Sequence, residues 1–296
     1  MKNNTPIKII AIILIPLFIA AIILFTTRNT DESSASIFAR NDQSGKRVNE
    51  HKSVRIISEW LLPKELKEVS GISWMQGDRF ACVQDEIGKV FIYNTRTSSV
   101  ENEIPFAGKG DYEGIAIVAD TIYVLHANGK IFEIANYSSP KRRVKLYETH
   151  LSKKQDNESL AYDKKNNRLL IAVKEAKSDK DDFKGIYSFD LKTKTMAVKP
   201  VYKIDLNNKV FKGKKSNSIQ PSDIEVHPLT GNIYIIEGNK PKLLVLNSKG
   251  DILFLNELKD KEFSQPEGLS FSPDGQMYIS NEGKPGNIIQ VELGDN

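Results

Sequence analysis

Glu113, Glu158 and Glu267 each sit in a copy of one short phrase: Asp111-Tyr-Glu-Gly-Ile-Ala, Asp156-Asn-Glu-Ser-Leu-Ala and Gln265-Pro-Glu-Gly-Leu-Ser. Carboxylates delivered in register to one place can hold a cation or move a proton. Two more copies carry serine there: Ser70 in Glu68-Val-Ser-Gly-Ile-Ser and Ser222 in Gln220-Pro-Ser-Asp-Ile-Glu, where Asp223 follows directly. A second set, Asp85, Glu175, Glu237 and Glu282, stands at the ends of the apolar runs Phe80–Val83, Leu169–Val173, Ile233–Ile236 and Met277–Ser280. If both sets reach one face, crowded carboxylates must take up protons, admit water or bind a cation. Glu113, Glu158, Glu175, Asp223, Glu237, Glu267 and Glu282 are therefore the candidate metal ligands, and calcium is the ion that oxygen donors in such number suit. Zinc fits poorly: His126 ends one second run, whereas His51, His150 and His227 read as ordinary surface or structural residues. A plainer reading stands beside each acid, in which it accepts hydrogen bonds from backbone N–H groups of the neighbouring unit. The Asp179, Asp181 and Asp182 group lacks the glycine and final glutamate of an EF-hand and reads as a solvated loop.

The elements that must position these residues repeat with a period of about 45 residues, broken by one longer gap between Glu158 and Ser222. Each unit resolves into short apolar runs bounded by Gly, Pro, Asn and Asp, such as Ile122–Leu125, Asn128-Gly129 and Ile131–Ile134. Such runs are strands, and no stretch after residue 50 keeps a helical period. Four antiparallel strands per unit at this period predict an all-β fold, a β-propeller of five blades. A six-bladed ring is the alternative, if the long third unit hides two. That unit carries polar insertions around Lys177–Lys184 and Asn207–Asn217, which belong in loops, and Lys209–Lys215 reads as a solvated one. The last unit stops after three strands at Leu293, so Val54–Ser58 is expected to supply the missing outer strand and close the ring.

Ahead of the propeller, Ile9–Phe25 carries no charge and is flanked by Lys2, Lys8 and Arg28. Its length approaches what a bilayer core requires, and its end lacks an Ala-x-Ala-like cleavage site. We read residues 1–6 as a short cytoplasmic N-terminus, 7–27 as an uncleaved transmembrane signal anchor, 28–52 as a polar tether and 53–296 as the propeller. Cleavage of residues 7–27 as a signal peptide is the alternative. Either reading exports the propeller, to the periplasmic or extracellular side of the cell membrane. Cys82, the single cysteine, lies in an apolar run and reads as a buried, inert thiol. A net charge of +4 from 42 basic and 38 acidic residues gives no reason to expect nucleic acid.

The ordered set of phrases, completed by Pro221-Ser-Asp-Ile-Glu-Val-His-Pro and Pro266-Glu-Gly-Leu-Ser-Phe-Ser-Pro-Asp-Gly, resembles the SdiA-regulated domain family from about Val54 to Leu293. The resemblance implies a membrane-anchored or exported five-bladed propeller, distantly like NHL-repeat propellers, with a calcium site. Glu113, Glu158 and Glu267 fall in its acidic phrases. Ser70 and Ser222 interrupt the acidic ring, which places any metal off-centre. No established catalytic activity travels with the family. The first functional expectation is a binding module that recognises a protein or small molecule on its acidic, calcium-ordered face. The alternative is a calcium-dependent hydrolase of phosphate esters or lactones. No Gly-x-Ser-x-Gly elbow and no histidine in register supports a nucleophile–base pair.

Overall fold

Apolar runs such as Phe80–Val83 and Leu243–Leu246 are buried at every residue, not at alternate ones. A strand buried on both faces must lie in a sheet sandwiched between two others. A computed structural model describes residues 52–175 and 182–295, and these form five antiparallel sheets. Strand β1 (Lys52–Leu61) comes first. Blade one is β2 (Val69–Met75), β3 (Arg79–Gln84), β4 (Ile87–Asn94) and β5 (Ser99–Lys109). Blade two is β6 (Tyr112–Val118), β7 (Thr121–His126), β8 (Ile131–Ala135) and β9 (Arg143–Tyr147). Blade three is β10 (Ala161–Asp163), β11 (Arg168–Ala172) and β12 (Phe183–Asp190), with β13 (Thr195–Met196) and β14 (Tyr202–Asp205) both paired to β12. Blade four is β15 (Asp223–Val226), β16 (Ile233–Glu237), β17 (Lys242–Leu246) and β18 (Ile252–Glu257). Blade five is β19 (Pro266–Phe271), β20 (Met277–Asn281) and β21 (Asn287–Asp295), completed by β1.

The ring closes as the sequence predicts. β1 runs antiparallel to β21 from Lys52 opposite Asp295 to Leu61 opposite Asn287, so the outer edge of blade five is supplied by the start of the domain. First strands touch in a closed circuit, β2 to β6 to β10 to β15 to β19 and back to β2. The long third unit is one blade. Its outer strand is broken into β13 and β14 around Pro200, which removes the six-bladed alternative. The insertion at Asn207–Asn217 is a loop with one short 3₁₀ turn, Lys209–Phe211. The residues read as anchor and tether lie outside the described residues, except Lys52, which opens β1 and so belongs to the propeller; His51, Asp179 and Asp181 also lie outside them.

Five apolar clusters occupy the five blade–blade interfaces. One joins Ala81, Val83 and Val90 of blade one to Ile115, Ile122 and Val124 of blade two. The closing interface joins Tyr278 and Ile288 of blade five to Ile72, Phe80 and Cys82 of blade one. Cys82 is fully buried there, and burial pushes its thiol well up from the ordinary range. At the centre the first strands approach so closely that little side chain fits. A Cβ on Gly71 would lie 2.7 Å from the Glu113 carbonyl oxygen, and one on Gly268 2.9 Å from the Ile72 amide nitrogen. The glycine in the repeated phrase is therefore a spacing requirement of a narrow, five-bladed ring.

Candidate functional site: an acidic mouth built on β-bulges

Each acidic phrase begins where the first strand departs from regular pairing. In blade one Val69 pairs with Gln84 and Gly71 with Val83, so Ser70 is the extra residue of a β-bulge. Blade two pairs Tyr112 with His126 and Gly114 with Leu125, leaving Glu113 bulged. Blade five pairs Pro266 with Asn281 and Gly268 with Ser280, leaving Glu267 bulged. In blade three an isolated bridge from Asn157 to Val173 precedes the pairing of Ala161 with Leu170, which gives Glu158 the same place. A bulge re-aims one side chain without disturbing the strand beyond it. Here it turns the first-set residues of blades one, two, three and five into a common mouth, which Ser222 of blade four joins.

That mouth is a polar cavity of about 200 Å³ lined by Ser70, Glu113, Glu158, Ser222 and Glu267, together with Asp85 and Glu282 from the second set. Glu68, Lys174, Gln220 and Gln265 complete most of its wall. Three of the seven candidate ligands lie elsewhere. Asp223 is buried and accepts hydrogen bonds from the amides of Ile224 (2.8 Å) and Leu269 (2.7 Å), so it bridges blades four and five. Burial outweighs those donors and pushes its proton affinity well up. Glu237 is buried against Lys242 (2.7 Å) and accepts from the Gln220 amide (3.0 Å). Lys242 also donates to the Ser218 carbonyl (2.7 Å), so this pair staples the loop that carries Gln220. Glu175 is half exposed and accepts from the Gln220 side chain (2.8 Å).

The register explains the difference. The residue just past the last position paired to the first strand is Asp85, Ala127, Lys174 and Glu282 in blades one, two, three and five. In blade four Glu237 is itself paired, opposite Lys242 of the third strand, and Gly238 comes next. Glu175 stands one residue too late and Glu237 one too early. Lys174, which sequence reasoning passed over, occupies the mouth instead. Counting from the bulged phrase, and not from the nearest acid, is the signal that finds it. Gly238 makes room for a neighbour: a Cβ there would lie 2.8 Å from Glu267 Oε1.

The electrostatics are those of crowded, partly buried acids. Burial, then Asp111 and Glu158, raise Glu113 to about 10. Glu267 is raised to about 8 by burial and by Glu158, against relief from Gln265 and Lys174. Glu158 is raised to about 7 by burial, opposed by a hydrogen bond and ion pair with Lys174. Asp85 is raised by burial and Glu68, and Glu282 by burial and Asp85. Two buried carboxylate oxygens, Glu158 Oε2 and Asp85 Oδ1, have no hydrogen-bond partner. Such orphans are costly unless something fills the space they face. The donor set, oxygens carrying surplus negative charge, fits a hard divalent cation. Among the described residues no three acids, histidines or cysteines are placed to hold one ion as they stand. Coordination therefore requires side chains at the mouth to rotate.

The ring is shared with distant proteins of known structure. Glutaminyl cyclase of Myxococcus xanthus is 14% identical over 83% of this chain and 99% of its own, with a TM-score of 0.60. PQQ-bound aldose sugar dehydrogenase of Streptomyces coelicolor is 10% identical over 83% and 100%, with a TM-score of 0.52. A Bacteroides thetaiotaomicron protein of unknown function is 10% identical over 83% and 73%, at 0.50. At these identities the likeness is one of fold alone. No curated protein sequence matches the chain. The SdiA-regulated family model matches residues 194–296, the stretch holding the fourth and fifth phrases. Those residues run from the outer edge of blade three through blade four to the three C-terminal strands of blade five, and over them the chain is similar to the SdiA-regulated family.

Proposed function

We propose that the chain is a membrane-anchored, extracytoplasmic binding propeller whose acidic mouth takes up calcium and, so ordered, presents a recognition surface for a protein or small ligand. One observation carries the reading: Glu113, Glu158 and Glu267 share a cavity in which Glu158 Oε2 is buried without a partner. Glu158 would hold the ion from one side, Glu113 and Glu267 from the others. Ser70 and Ser222, on blades one and four, stand on either side of blade five, so the first-set ligands are those of blades two, three and five. The hydrophobic Ile9–Phe25 run supports the anchor, and export supports calcium, which is abundant outside the cytoplasm.

Calorimetric titration of the full chain in detergent is expected to give saturable calcium binding. Glu158→Gln should weaken it by at least about tenfold, as loss of a charged ligand does. Absence of binding by the parent chain overturns the reading.

A second reading, the hydrolase, is favoured by one feature. Glu158 is held near 7, where a carboxylate can both accept and give a proton at neutral pH. A bound calcium would supply Lewis acidity for a phosphate ester or lactone. Glu158 and Lys174 would then hold and move a proton beside it. Calcium-dependent turnover of phosphomonoesters, phosphodiesters or lactones, abolished by Glu158→Gln, decides for this reading over binding alone.

A further inference from the structure

Among the described residues, Lys174 is the one cationic residue in the wall of the acidic mouth. Its ammonium donates to Glu158 Oε1 and lies 3.7 Å from Asp156 Oδ2. Although burial pulls its proton affinity down, the hydrogen bond and charge of Glu158 hold it above the ordinary value. The backbone beneath it is pinned: the Lys174 amide donates to the Asp156 carbonyl (3.1 Å), and Lys184 Nζ donates to the Lys174 carbonyl. The ammonium, by contrast, rides on a flexible four-carbon stem. It satisfies one oxygen of Glu158 and leaves the other buried and unpartnered. Asp156, whose side chain is 41% exposed against 13% for Glu158, offers the same ammonium a second, wetter partner.

We infer that Lys174 is a resident counter-cation that calcium displaces from Glu158 onto Asp156, so that this lysine sets the calcium threshold of the mouth. The inference rests on the calcium reading above. A unit positive charge held on the principal ligand competes directly with a divalent ion, and in a partly buried site the repulsion between the two is strong. Displacement resolves both at once. Glu158 gains an ion that both its oxygens can face, and Lys174 keeps a carboxylate without crossing the cavity. The lysine thereby also keeps the empty mouth from holding its full uncompensated charge.

The test compares calcium isotherms of the parent full-length chain, Lys174→Gln and Lys174→Arg, each first shown to melt cooperatively in chelator. Lys174→Gln is expected to bind calcium at least about tenfold more tightly than the parent, and Lys174→Arg within about threefold of it. Binding by Lys174→Gln where the parent binds none overturns the inference, because the lysine then excludes calcium and is not displaced by it. A parent that binds with Lys174→Gln equal or weaker overturns the inference and leaves the calcium reading standing. Silence in all three overturns both. Should Lys174→Gln fail to fold, amine footprinting of the parent by mass spectrometry serves instead. Reactivity of Lys174 should rise at least about threefold at saturating calcium as it moves to the exposed partner. Unchanged reactivity overturns the inference.

Discussion

Glu113, Glu158 and Glu267 bind protons more tightly in the folded chain, at about 10, 7 and 8, than the ordinary glutamate value of 4.5. Folding therefore takes up protons at these sites. Their favourable contribution is complete below about pH 4.5 and is lost as pH rises through the folded values. In chelator, urea denaturation should give lower stability at pH 9 than at pH 5, and Glu113→Gln should flatten that fall. Calcium should flatten it too, because an ion replaces the protons, and its binding should tighten as pH rises. A stability that climbs between pH 5 and 9 in chelator contradicts this account of the mouth. Of the residues involved, the three phrase acids were legible in the sequence because their spacing repeats. Asp223 was placed beside Ser222 in the expected register, and it takes the role reserved for any single acid, accepting a backbone hydrogen bond from the next blade. What the sequence withheld was the direction in which each side chain points.

At the scale of the element, the device is a β-bulge followed by a glycine or another small or compact polar residue. The bulge aims the acid; the glycine admits the next blade. Gly71→Ala should cost roughly 1–3 kcal/mol, since its Cβ meets a backbone oxygen that cannot rotate away. Gly108→Ala serves as the control, for nothing lies within 4 Å of the added carbon, and it should be near neutral. Equal effects in thermal melts of the two variants would sink the close-approach explanation. The bulge also explains why the second set of acids was only half legible. In blade three the apolar run and the pairing both end at Val173, so Lys174 comes next and Glu175 one residue late. In blade four the pairing runs one residue past the apolar run, taking in Glu237 opposite Lys242. A shift of one residue sends a side chain to the opposite face. So Lys174 and Gly238 reach the mouth, while Glu175 turns toward Lys184 and Glu237 toward Lys242.

At the scale of the molecule, the ring is held by five interface cores and one pairing of chain ends. Blade count and closing strand were legible because each depends on periodicity and on counting strands, both of which survive in a single sequence. The split outer strand of blade three was not, since β13 and β14 together look like one strand interrupted by a turn. Closure by β1 also places the start of the domain on blade five, on the opposite side of the sheet order from Glu267 on β19. Glu267 and the first described strand thus lie on opposite edges of one blade. The most direct measurement of the central claim is anomalous diffraction from crystals of the chain grown with terbium in place of calcium. The account predicts a peak at the mouth, bounded by Glu113, Glu158 and Glu267, with the Lys174 ammonium withdrawn toward Asp156. Terbium bound only at surface carboxylates, with Lys174 still on Glu158, contradicts it.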